Sequence, residues 1–150
     1  MIKKFNEFVR ISNISHEVDG DTITFKNNRG EEIGGLIFTA AYYDDILSEY
    51  SESVDDFDST VMRKFNYNNT IVNIEDTWIN KKFQGRNLFR IIFQIGLDTL
   101  TKKYDQFILR ACSDNGFPED KLVDIYTDFG FVSYQKTEED GTIMVLIYKK

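Results

Sequence analysis

The chain has 150 residues, 41% hydrophobic and 29% charged, the size of a single domain that buries a core without a disulfide or metal staple. No apolar run approaches the ~18 to 20 residues of a bilayer span, and Met1 to Glu7 has neither an apolar h-region nor a small-residue cleavage site; a soluble, cytoplasmic protein with no membrane partner is expected. Cys112 and His16 are the only cysteine and histidine, which excludes an intrachain disulfide framework and the usual thiolate and imidazole zinc sites. With 18 Lys+Arg against 25 Asp+Glu the net charge is −7, a balance that disfavours nucleic acid and anionic membranes and favours a cationic partner or substrate.

No repeat and no Pro- or Gly-rich linker divides the chain, so one domain spanning 1–150 is expected. Phe8 to Ile11 reads weakly as a strand. Thr22 to Lys26 alternates polar and apolar before the turn residues Asn27-Asn28-Arg29-Gly30, which predicts a hairpin with a return strand from Glu32 to Ala40. Gly34 and Gly35 inside that strand predict a bulge or a close backbone approach. From Asp44 to Phe65 the apolar residues Ile46, Tyr50, Val54, Phe57, Val61 and Phe65 step by three or four, so this acid-rich segment, about 44–66, is expected to be helical with a break near Asp55 to Ser59.

Ile71 to Ile79 reads as a strand with Val72, Ile74 and Trp78 on one face. From Gly85 to Tyr104 apolar residues wrap most of a helical cylinder, which predicts a central buried helix. Gln106 to Cys112 is a short strand. Pro118 opens a further helix, with Glu119 and Asp120 in its first turn, a stripe of Leu122, Ile125 or Tyr126, and Phe129, and a cap at Gly130. Phe131 to Thr137 and Thr142 to Tyr148 form a closing hairpin around Asp140-Gly141.

The junction from Trp78 to Asn87 carries the sharpest functional signal, because a helix start presents unpaired N–H groups and partial positive charge to an anion. Gln84-Gly85-Arg86-Asn87-Leu88-Phe89 there resembles the acyl-CoA-binding motif Gln/Arg-x-x-Gly-x-Gly/Ala of the GCN5-related N-acetyltransferases. Ile125-Tyr126-Thr127-Asp128-Phe129-Gly130-Phe131 looks like the same family's helix-to-strand signature, and the hairpin around Glu31-Glu32-Ile33-Gly34-Gly35 is similar to its early strand pair. The resemblance covers about Thr22 to Ala40 and Ile71 to Lys150. It implies an α/β (α+β) fold of the acyl-CoA N-acyltransferase type: a mixed, mostly antiparallel sheet of six or seven strands flanked by helices, splayed after the strand that ends near Ile79.

Two departures stand out. Asn87 replaces the motif's first glycine and is the non-glycine residue type that best tolerates positive φ; Phe89 replaces the second small residue and either blocks a pyrophosphate or turns into the core. Lys81, Lys82 and Arg86 offer compensating charge. The helix pair expected after the first strand is missing, while the acidic segment precedes the motif strand as an insert, a candidate lid or acceptor wall.

The resemblance implies transfer of an acetyl group from acetyl-CoA to a primary amine: a protein lysine, an N-terminus or a small polyamine. Trp78, Ile79, Gln84, Gly85, Arg86, Asn87, Leu88 and Phe89 would bind the cofactor, with the Ile79 backbone as oxyanion donor. Tyr126 is implied as the general acid, against its plain reading as a core aromatic. Glu75 and Asp76 lie on opposite faces of one strand, and either is a candidate base or amine anchor. A homodimer is a further expectation. The alternative is a catalytically inactive module of the same fold that docks on a basic partner protein. Cys112 reads as a small buried hydrophobe, His16 as a surface or turn residue, and Asp128-Phe129-Gly130 as a chance match to a kinase tripeptide.

Overall fold

The computed structural model describes residues 13–85, 87–113 and 118–149. The expected strand at Phe8 to Ile11 and the candidate Arg86 lie outside them. Seven strands form one mixed sheet: β1 (Ser15–Asp19), β2 (Thr22–Lys26), β3 (Glu32–Ala41), β4 (Ile71–Ile79), β5 (Gln106–Ala111), β6 (Val132–Lys136) and β7 (Thr142–Ile147), in the order β1-β2-β3-β4-β5-β7-β6. Helices α1 (Tyr43–Ser53), α2 (Leu88–Thr101) and α3 (Glu119–Asp128) flank it, with 3-10 turns at Ser59–Lys64 and Lys81–Phe83. Among the described residues no helix is long and apolar enough to cross a membrane. The residues group into two compact units, Met1–Phe38 with Asp76–Lys102 and Thr39–Glu75 with Lys103–Lys150, and both β3 and β4 run from one into the other.

In the first unit β1 is a strand that the sequence reading leaves out. All five of its residues are exposed, so it has no amphipathic alternation to announce it; its positive-φ turn residue Gly20 is the one available signal. His16 lies on this strand, with its ring 6.4 Å from that of Phe25 and Nε2 3.2 Å from Thr99 Oγ1. The β2–β3 turn is held by Asn27, whose Oδ1 accepts from the backbone N–H groups of Arg29 and Glu31, each at 3.0 Å. Register shifts between Phe25 and Lys26, whose partners Gly34 and Glu32 skip Ile33, so the bulge lies on the glycine-bearing strand itself.

The glycines of β3 serve close approach. A Cβ on Gly34 would run into the carbonyl oxygen of Trp78, and one on Gly35 would meet its indole ring. The contact ties β3 to β4, whose pairing is antiparallel: Asn80 N–H donates to Ile33 O at 2.9 Å while Thr39 reaches Glu75 at the other end. Helix α2 is apolar nearly all round, with nine of its residues buried, Phe89 to Thr101. Gly96 lets it approach β2 and β3, because a Cβ there would press on Leu36 and Phe25. This closeness offsets the roughly 1 kcal/mol that glycine costs inside a helix.

In the second unit α1 buries Ile46 and Tyr50 and continues to Val54, one residue each turn, into a core with Val61, Met62, Phe65, Ile71, Ile108, Ile143 and Val145. The predicted break falls at Val54 to Asp58, where Asp56 takes φ 56°. Asp58 then caps the 3-10 turn by accepting from Thr60 N–H at 3.0 Å. Gln135 of β6 clamps the break on both sides, accepting from Asp58 N–H and donating to Asp56 O, each at 2.8 Å. The acidic segment is therefore fixed to the sheet.

Strands β4 and β5 pair in parallel over Val72↔Phe107, Asn73↔Ile108 and Ile74↔Leu109. This register ends well before β4 itself ends at Ile79. Ile71 to Ile74 are all buried, so both faces are covered there and the expected one-sided pattern is lost. Pro118 stands at the N-cap of α3, one residue before the first helical position. At its other end Gly130, φ 101°, donates to Thr127 O and Phe131 N–H donates to Tyr126 O, the two bonds of a Schellman motif, with the Tyr126 and Phe131 rings in contact at 6.0 Å.

Because the clash at Gly34 is with backbone, Gly34→Ala is expected to cost about 1–3 kcal/mol in urea unfolding. Gly141→Ala, blocked by the Ala111 carbonyl, should behave likewise, and a loss below about 0.5 kcal/mol at both would contradict the close-approach account.

Candidate active site

The first unit holds the loop from Ile79 to Leu88. Ile79 is buried, and its carbonyl accepts from Gln84 Nε2 at 3.1 Å, so Gln84 closes the loop over its own 3-10 turn. Gly85 has φ 82° with open space where a Cβ would be. Asn87 has φ 58° and ψ 25°, left-handed, and stands at the N-cap of α2 without a side-chain hydrogen bond into the helix. Asn87 thus adopts the positive φ that its residue type tolerates. The Asn87 side chain caps none of the first-turn N–H groups, and Asn87 and Gly85 are exposed beside the helix start. These features fit a diphosphate: amide donors, partial positive charge and no side-chain bulk at Gly85.

Phe89 does not stand in that loop's path. It is buried and stacks parallel to Phe93 with ring centroids 6.4 Å apart, so of its two predicted outcomes the structure takes the core. Leu88 is half-buried. Trp78, among the residues expected to bind cofactor, lays its indole against Gly35, a packing role that follows from the glycine pair. Lys82 is paired with Glu31 and lies 5.4 Å from the Phe83 ring centroid, so its charge is already engaged; this partner and Asn27 hold the Glu31 carboxyl below its usual range. Lys81 is exposed, and Asp76 is exposed on the face of β4 opposite Glu75.

The second unit holds Glu75 and Tyr126. Glu75 Oε2 accepts from Thr39 Oγ1 at 2.7 Å. Tyr126 is buried in α3 at the Schellman turn, one ring edge against Phe131. Beside Glu75 lies a set that the sequence reading missed. Tyr50, buried, donates its phenol proton to Asn73 Oδ1 at 2.8 Å, and Asn73 Nδ2 lies 3.5 Å from Glu49 Oε1. Burial pushes the Tyr50 phenol far up, against the pull of Arg110, whose guanidinium is 6.0 Å from the ring centroid. Burial and then the charge of Glu75 hold the Glu49 carboxyl above its usual range, opposed by Arg110. Buried Asn73 on an otherwise apolar half-strand is the only sequence signal for this group. Cys112 is half-buried and donates to Asp140 O. Among the described residues no three His, Cys, Asp or Glu side chains are arranged to hold a metal.

No protein-family model matches the sequence, and no curated protein matches it. Solved structures match its fold. A GNAT-family acetyltransferase from Listeria monocytogenes is 13% identical with a TM-score of 0.55, over 85% of this chain and 64% of that one, so the chain spans less than two thirds of that protein. The NatC complex bound to Gag peptide and CoA gives 11% and 0.56, over 96% and 89%. The spermidine/spermine N-acetyltransferase of Vibrio cholerae gives 14% and 0.52, over 84% and 65%. The chain has the GCN5-related N-acetyltransferase fold.

Two outcomes follow from this geometry. Asn87→Ala is expected to lose about 1–2 kcal/mol, the cost of a left-handed Cβ, whereas Asn87→Gly loses little; equal effects in urea unfolding would contradict the φ argument. For Glu49 the folded chain holds the proton more tightly than the unfolded one, so its contribution to stability is present below the ordinary carboxylate range and lost as pH rises through the raised value. Glu49→Gln should therefore raise Tm at neutral pH and leave it unchanged near pH 3, as thermal melts at the two pH values will show.

Proposed function

We propose that this chain is an acyl-CoA-dependent N-acetyltransferase that moves an acetyl group directly from acetyl-CoA to a primary amine on a cationic acceptor, a protein lysine, an N-terminus or a polyamine. The observation that carries the reading is the turn before α2, where Gly85 and Asn87, both at positive φ, lead into a fourteen-residue helix. It sits on a fold shared with proteins named as acetyltransferases. A diphosphate at that turn would take the first-turn N–H groups of α2, with Lys81 adding charge.

Transfer needs a neutral amine, a donor for the developing oxyanion and a proton for the leaving thiolate. In this reading the Ile79 backbone polarises the acetyl carbonyl, Glu75 anchors the ammonium group and Tyr126 protonates the thiolate. Of the two carboxylates of β4, Glu75 suits the acceptor because Thr39 fixes its orientation. The net charge of −7 favours a cationic acceptor over nucleic acid.

Calorimetric titration with acetyl-CoA, desulfo-CoA and adenosine 3′,5′-bisphosphate tests the reading. Micromolar binding, about 8 kcal/mol, is expected, with most of it retained by the bisphosphate. Tyr126→Phe should then lower kcat by about 100-fold with little change in KM. No heat at millimolar ligand would overturn the enzyme and leave a module that docks on a basic partner.

A further inference from the structure

A second carboxylate accompanies Glu75, and it comes from the acidic segment. Glu49 precedes Tyr50 on α1, and the buried Tyr50–Asn73 hydrogen bond fixes that point of the helix against β4. Asn73 and Glu75 are two residues apart on the strand and so share a face, with Asn73 Nδ2 directed at Glu49 Oε1. The carboxylates of Glu49 and Glu75 are close enough for the charge of one to be felt at the other.

Their surroundings are specific. One oxygen of Glu75 already accepts from Thr39. Among the described residues neither carboxylate makes an ion pair; Arg110 of β5, the cation whose field reaches Glu49, is turned to Asp140 at 3.7 Å. The groups facing Glu49 are thus Glu75 and Asn73 from β4, Arg110 from β5 and Tyr50 from its own helix.

We propose that Glu49 takes the proton from the acceptor's ammonium group while Glu75, fixed by Thr39, holds that group in place. The inference rests on the N-acetyltransferase reading. One N–H bond of R–NH3+ breaks with its electron pair left on nitrogen, and the proton joins Glu49. The nitrogen pair then forms the C–N bond to the thioester carbonyl carbon, and the C–S bond breaks with its pair on sulfur. Tyr126 gives its proton to the thiolate and regains one as the nitrogen loses its second proton. Glu49 returns its proton to water, so one proton is released for each amide formed.

The test is the pH–rate profile of Glu49→Gln and Glu49→Asp with saturating acetyl-CoA. The acceptors are 1,4-diaminobutane, a lysine peptide with a blocked N-terminus and a peptide with a free N-terminus. Glu49→Gln is expected to lose about 100- to 1,000-fold in kcat near neutral pH. It should lose the acid limb of the profile and recover as the solution approaches about pH 10, where the amine is already neutral. Acetyl-CoA affinity should stay within twofold and Tm should not fall. Glu49→Asp should keep the acid limb at a reduced rate.

The proposal is overturned if Glu49→Gln stays within threefold of the wild type, or is slow with its acid limb intact. It is equally overturned if Glu75→Gln alone removes that limb, or if the wild type binds acetyl-CoA but acetylates none of the three acceptors. A wild type that binds no acetyl-CoA instead overturns the N-acetyltransferase reading itself, which separates the two failures.

Discussion

Strand β4 can lie where it does because β3 has no side chains at Gly34 and Gly35. The Trp78 carbonyl fills the space that one Cβ would need, and the indole fills the other. This closeness fixes the register of β4 along its length, from the Ile33–Asn80 bond at one end to the Thr39–Glu75 bond at the other. β4 carries Asn73 and Glu75 in one unit, and in the other Asp76 and Ile79 before the turn that delivers α2.

The acidic segment shows how a charged stretch can still be firmly folded. Between its carboxylates, Ile46, Tyr50, Val54, Val61, Met62 and Phe65 build a core with β4, β5 and β7. Two further anchors are polar. Gln135 saturates the backbone across the break, and Gln106, buried on β5, donates to the carbonyls of Asn66, Asn69 and Thr70 and accepts from Asn66 N–H. The buried Gln106 amide holds its loop in one conformation, because unmaking any of its bonds strands a polar group away from water. Glu49 is placed by the same logic: the helix face that buries Tyr50 brings its neighbour against Asn73.

The turn before α2 reaches the geometry of a glycine motif without its glycines. Asn87 takes the left-handed conformation, and Phe89 leaves the loop by pairing with Phe93 in the core. Chemistry at this turn rests on main-chain N–H groups, so side-chain identity matters only where it changes φ or occupies space.

Local patterns were enough to reveal most elements and the nature of that turn. The recurrence of apolar residues every three or four positions marks α1, α2 and α3, the Asp55–Ser59 break falls where acidic residues are densest, and Asn87 and Gly130 announce their positive φ by residue type. These signals are short-range steric and hydrophobic periodicities, carried by residues adjacent in the chain. Exposed β1 escapes them because pairing, not burial, makes it a strand. The role of Trp78 in covering Gly35, the inward turn of Phe89 and the meeting of Glu49 with Asn73 and Glu75 were decided only by tertiary structure. Each joins residues far apart in sequence, and which carboxylate loses water and which ring finds a partner depends on the neighbours that folding supplies.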